Sequence, residues 1–147
     1  MPKPIPKPIS LVHPTGNPNV RNVALALAEA NLLHEVVTTL AINPTGRWVG
    51  WLGRLPGGDR LAAELGRRDW RLPPDVSIRS YPWREVGRIL LERTGIRQRL
   101  GWSAQSLADR LYVFLDRQVA DHHLTGIRAV YAYEDGAAAT FMRAKQA

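Results

Sequence analysis

The run AVYAYEDGAA, residues 129–138, takes a short apolar and aromatic stretch abruptly into two carboxylates and a glycine. A carboxylate at the end of a buried strand can orient a sugar hydroxyl or act as a general base, which makes Glu134 and Asp135 the candidate catalytic pair. Tyr133 and Gly136 flank them as candidate substrate-binding positions. The plain alternative is helix-start chemistry, with Asp135 as an N-cap and Glu134 as a favourable first-turn charge. A second polar turn lies near the beginning of the chain. The run ISLVH, residues 9–13, leads into Pro14-Thr15-Gly16-Asn17-Pro18-Asn19. His13 closes the apolar run. Gly16, placed before a helix start, exposes backbone N–H groups to an anion, and Arg21 one turn further in adds a cation. One glycine stands where the dinucleotide fingerprint needs three, so the loop is not that fingerprint. An ordinary turn with Asn caps is its alternative. The two turns suggest one cleft, lined by His13, Gly16, Asn17 and Arg21 on one side and by Tyr133, Glu134, Asp135 and Gly136 on the other.

Such a cleft needs elements that bring both turns together. The sequence predicts strands at about 9–13, 34–42, 76–81 and 128–133, the second rich in β-branched residues and stopped by Asn43-Pro44-Thr45-Gly46. Helices are predicted at about 19–32, 83–98 and 103–122, with a last one starting near Asp135 and a short one at about 58–67. The first has Asn17 or Asn19 as cap and Val20, Val23, Ala24 and Leu27 on its apolar face. The helix over 103–122 carries the stripe Leu107, Leu111, Phe114 or Leu115, and Val119. Strands alternating with helices predict a Rossmann-like parallel α/β sheet of about four strands flanked by helices. Right-handed crossovers give the order 3-2-1-4, which makes the first and fourth strands neighbours across a switch point where such sheets bind ligands.

A chain of 147 residues suffices for one domain with a real core. The division expected is a proline-rich lead-in over 1–8, MPKPIPKP with its Pro-Lys-Pro-Ile repeat in polyproline II form, followed by a single domain over 9–147. The lead-in lacks the apolar region of a signal peptide, and no run approaches the ~20 apolar residues of a membrane span. With no cysteine, disulfides and thiolate sites are excluded, which favours a reducing, cytoplasmic setting. His34, His122 and His123 show no metal-ligand spacing, and the His122-His123 pair suits a helix end. No Walker A loop, nucleophile elbow or zinc-finger spacing occurs, so neither metal nor cofactor is expected.

The net charge of +7 is concentrated in the middle of the chain: residues 47–99 hold 12 arginines against 6 acids. Trp48, Trp51, Trp70 and Trp83 are interleaved with them. That mixture fits an anionic partner such as a phosphorylated substrate, the anionic inner face of a membrane, or nucleic acid. An arginine-rich solvated surface is the plain alternative. No nucleic-acid-binding signature is present, which weighs against nucleic acid.

The chain resembles the N-terminal half of a family-4 glycosyltransferase of the GT-B fold. The resemblance rests on LVHPTGNPNVRNVALALAEANLL, where a first strand enters a glycine-bearing loop and helix. It rests also on Val130-Tyr131-Ala132-Tyr133-Glu134-Asp135 followed by GAAATFMRAKQ, where the family has V-H-A-H-D before an alanine-rich helix. It implies transfer of a sugar from a nucleoside-diphosphate sugar to an acceptor hydroxyl, with this domain on the acceptor side. Tyr133 stands where many relatives have a catalytic-site histidine, so Glu134 and Asp135 take the catalytic expectation here. Relatives bind the donor mainly through a second Rossmann-like domain with spaced glutamates. None is found in 1–147, so the resemblance implies a truncated domain, inactive alone, completed by a C-terminal domain or a partner chain. The alternative from a different class is a non-enzymatic basic α/β module that binds a protein, an anionic lipid surface or nucleic acid.

Overall fold

The computed structural model describes residues 7–41 and 70–146. Strands β1 (Ile9–Val12), β2 (Leu33–Thr38), β3 (Ser77–Ser80) and β4 (Ala129–Ala132) form one sheet of order β3-β2-β1-β4. Every neighbouring pair is parallel, and Val12 lies opposite both Val37 and Ala132. The fold class is therefore the expected Rossmann-like one, in the expected strand order. Helix α1 (Pro18–Glu29) joins β1 to β2. Helices α2 (Pro82–Arg93), α3 (Ile96–Arg99) and α4 (Ala104–His122) join β3 to β4, and a 3-10 turn over Glu134–Gly136 leads into α5 (Ala138–Ala144).

The strand alternation divides the core into two layers. Leu11 and Val36 pack with Val20 and Ala24 of α1, together with Trp70 and Val76. Val12 and Val37 point to the other face, against Leu115 and Val119 of α4. Of the stripes expected on these helices, Val20, Ala24, Leu111, Leu115 and Val119 are buried, while Val23, Leu27, Leu107 and Phe114 are half-buried; each fully covered Val or Leu contributes ~1.5–3 kcal/mol. β4 is an edge strand among the described residues, with Tyr131 exposed on it and Phe141 and Met142 exposed on α5.

Three expectations need correction. The helix predicted over 83–98 is two helices, because Gly95 adopts φ 69° between α2 and α3. β2 stops at Thr38 rather than continuing to 42, because the Thr39 N–H turns to the carbonyl of Pro14. Trp70 is not a surface aromatic: it is 3% exposed and belongs to the core beside α1. Trp83, by contrast, is 85% exposed. Trp48, Trp51, the short helix at 58–67 and the stop at Asn43–Gly46 lie outside the described residues, as do residues 1–6. The end of the lead-in is already joined to the fold. The carbonyl of Pro8 accepts from the N–H groups of Arg128 and Ala129 (2.8 and 3.1 Å), and Lys7 pairs with Asp75.

Candidate functional site

The turn after β1 is held down by its carbonyl. Pro14 O accepts from the Thr39 N–H and from the hydroxyls of Thr38 and Thr39, all buried. The loop then turns at Gly16, whose φ of 61° is left-handed. A Cβ there would lie 2.5 Å from the indole ring of Trp70, so position 16 admits no side chain. Asn17 caps α1, its Oδ1 accepting from the Val20 N–H at 3.0 Å. Pro18 at the helix start suits its fixed φ.

His13 continues β1 and is 3% exposed. Its N–H bonds the carbonyl of Val37, and the N–H of Tyr133 bonds the carbonyl of Val12, so both residues are placed by the sheet itself. Their rings lie 5.0 Å apart. The loop folds back on His13: the N–H groups of Gly16 and Thr15 reach its Nδ1 at 2.9 and 3.2 Å. These amides are therefore directed inward, which corrects the expectation that the glycine loop offers them to an anion. Burial pushes the His13 imidazole below its ordinary pKa.

On the other side, Glu134 and Asp135 sit exposed in the 3-10 turn that follows β4. The nearby Asp135 carboxylate pushes the Tyr133 phenol up. Tyr112 of α4 meets Tyr133 edge-on at 6.0 Å. A Cβ at Gly136 would come within 3.1 Å of the Tyr112 Cβ, so that glycine serves the close approach of the turn to α4.

The helix-cap reading of Asp135 does not hold. The N-cap position of α5 is Ala137, which has no capping side chain. The cap comes from Asp116 of α4, buried, which accepts from the N–H groups of Ala139 and Thr140 at 2.8 Å each. Asp135 is thereby left exposed in the turn after β4. Sequence reasoning missed Asp116, although a lone acid beside the Leu111, Leu115, Val119 stripe was a legible sign of a buried polar contact. It missed Trp70, Thr38, Thr39 and Tyr112 as supports for the same reason: their roles depend on long-range packing.

The structure thus brings His13, Gly16, Asn17, Tyr133 and Asp135 together at the ends of adjacent strands. There the chain leaves β1 toward α1 on one face and β4 toward α5, which packs on α4. Arg21 stands on the wall of a neighbouring cavity of about 230 Å³, with Pro18, Trp70 and Arg71. Among the described residues no group of His, Asp and Glu is arranged to hold a metal ion.

A second histidine cluster lies on the α4 face of the sheet. His123 Nδ1 meets Glu35 Oε1 at 2.9 Å, and the Tyr81 hydroxyl meets His123 Nε2 at 2.7 Å. Ser10 donates to the same Glu35 oxygen at 3.5 Å, and Arg79 lies 3.8 Å from the other. Burial alone would raise the Glu35 carboxyl. The His123 hydrogen bond, with the charges of His123, His34 and Arg79, holds it below its ordinary value instead. His123 is the C-cap residue of α4, as a helix-end role implies, but its ring serves Glu35 and Tyr81. No known protein family, curated protein or solved structure matches this chain.

Proposed function

We propose that this domain is the acceptor side of a glycosyltransferase that moves a sugar from a nucleoside-diphosphate sugar to an acceptor hydroxyl. The observation that carries the reading is the meeting of His13 and Tyr133 at the ends of β1 and β4, where parallel sheets bind ligands, with Glu134 and Asp135 exposed in the turn that follows. The cleft offers both kinds of partner that an alcohol needs. His13 and Asn17 present nitrogen groups to its oxygen, and Asp135 and Glu134 present carboxylates to its proton. In the transfer step the acceptor oxygen bonds to the anomeric carbon while the bond from that carbon to the diphosphate breaks. The electron pair leaves with the diphosphate, and the hydroxyl proton passes to the carboxylate of Asp135 or Glu134. The charge on the leaving diphosphate requires donors from a second Rossmann-like domain or a partner chain.

The test is to supply a nucleotide-sugar-binding domain, fused or in trans, and to measure transfer or donor hydrolysis. Asp135→Asn and Glu134→Gln are expected to lower turnover at least tenfold, equivalent to about 1.4 kcal/mol of barrier, with thermal midpoints unchanged. Ordinary transfer by the chain alone would refute the division of labour.

A second reading, a basic module docking on an anionic lipid surface, is favoured by one patch. Arg84, Arg110 and Arg117, with one acid, Asp109, surround Phe114 and Val113, and Trp83, next to Arg84 in sequence, is exposed. Arg84 lies 4.2 Å over the Phe114 ring. No helix among the described residues is long and apolar enough to cross a membrane, so contact would be peripheral. Co-sedimentation with anionic but not neutral vesicles, weakening with salt, is the expected outcome under this reading.

A further inference from the structure

We propose that His13 and Asn17 form a two-donor clamp for one oxygen atom of a neutral, hydroxyl-bearing ligand, a sugar or polyol, at the end of β1. A neutral imidazole has one donor and one acceptor nitrogen. Two backbone N–H groups, of Gly16 and Thr15, converge on Nδ1, which makes Nδ1 the acceptor and puts the ring hydrogen on Nε2. The orientation of Asn17 is fixed in the same way. Its Oδ1 accepts the Val20 N–H, so its NH₂ is the end that lies 3.4 Å from His13 Nε2. Two donors therefore face one another. His13 is buried and Asn17 is exposed, so the pair opens toward solvent at Asn17. A buried donor facing a donor is an unmet demand, and one acceptor oxygen beside both nitrogens meets it.

The surroundings select the kind of oxygen. A phosphate at a helix start relies on free backbone amides. Here the Thr15 and Gly16 amides serve His13, the Val20 amide serves Asn17, the Arg21 N–H bonds the Asn17 carbonyl, and Pro18 has none, which leaves only the Asn17 and Asn19 amides of this turn for an anion. Glu134 and Asp135, at the end of the adjacent strand, oppose a second negative charge. A hydroxyl suits both sides: its lone pairs accept from the clamp and its proton is donated to a carboxylate. The clamp deepens the acceptor-side reading and rests on it.

The experiment uses the full chain labelled with ¹⁵N. Long-range ¹H–¹⁵N correlation reads the His13 tautomer, and titrations with D-glucose and with inorganic phosphate follow the His13 Nε2 and Asn17 amide resonances. The expected results are an Nε2–H tautomer, movement of both resonances with glucose, and no movement with phosphate. Asn17→Ser keeps a capping oxygen and lacks the second donor. Asn17→Asp keeps the cap and supplies an acceptor to His13. Both should weaken the glucose response by about tenfold, the scale of one lost hydrogen bond. An Nδ1–H tautomer, resonances unmoved by glucose, an equal or stronger response to phosphate, or full glucose binding in both variants would each overturn the clamp. Loss of transfer with glucose binding intact would remove the transferase reading and spare the clamp. Transfer intact with glucose binding unchanged in both variants would do the reverse.

Discussion

His13 and His123 are treated in opposite ways. Around His123 every group has a complement: Glu35 takes one ring nitrogen, Tyr81 the other, and Ser10 and Arg79 complete the carboxylate. Around His13 one nitrogen is over-supplied with donors and the other faces a donor. The first arrangement is closed and spends its polar groups on the fold. The second is open and leaves hydrogen-bonding capacity for something outside the chain. The contrast is between a polar network whose groups are matched and one that keeps a donor unmatched, within one small sheet.

The comparison breaks most readily at the closed cluster. Glu35→Ala leaves a buried imidazole and a serine without their acceptor. We expect a loss of about 3 kcal/mol, read from the urea midpoint. A loss below about 0.5 kcal/mol, the scale of a surface substitution, would show that the network adds nothing to the fold. Gly16→Ala attacks the frame of the open cluster, where a left-handed φ and the Trp70 ring both exclude a methyl group. A loss of about 2–3 kcal/mol is expected, with any response to glucose lost as well.

Acid should separate the clusters by window. His13 has a folded pKa below its ordinary 6.5, so the unfolded chain takes up a proton first. Its contribution is present above that value and is lost as pH falls from there toward the folded pKa. Glu35 has a folded pKa below its ordinary 4.5, so its contribution is lost only at lower pH, as pH falls from there through the folded value. Urea midpoints taken across the acid range should therefore fall in two steps. Glu35→Gln should flatten the lower step and leave the upper one in place, and a single step in the wild type would count against the assignment. The smallest effect expected is a gain: Asn17→Asp places an acceptor before His13 at a helix start, raising stability by about 0.5–1 kcal/mol. A loss would mean that the two nitrogens are already matched.

The frame of the molecule was readable because it rests on local pattern. The apolar runs at 9–13 and 128–133, the β-branched 34–38 and the stripe Leu111, Leu115, Val119 each carry their own period, and crossover handedness then leaves little choice of strand order. The residues that stand at the ends of β1 and β4, His13, Asn17, Tyr133 and Asp135 among them, were readable as well. Their hydrogen-bond directions were not. Whether the loop amides point outward or onto His13 depends on a Trp70 ring under Gly16, which lies 54 positions away in sequence. The Glu35–His123 pair spans 88 positions and has no local signature. The helix break at Gly95 was visible only as one glycine within a long amphipathic pattern.

The borrowed cap of the last helix also bears on the order of folding. α5 is seven residues long, shorter than an isolated helix can sustain in water. Its first-turn amides are closed by Asp116, and the Thr140 hydroxyl returns a bond to the Asp116 carbonyl. The amides of Ala139 and Thr140 can then be shielded from solvent exchange only while α4 is formed. α5 becomes a follower of α4, and the carboxylate-bearing turn before it takes its place only after the middle of the chain has packed.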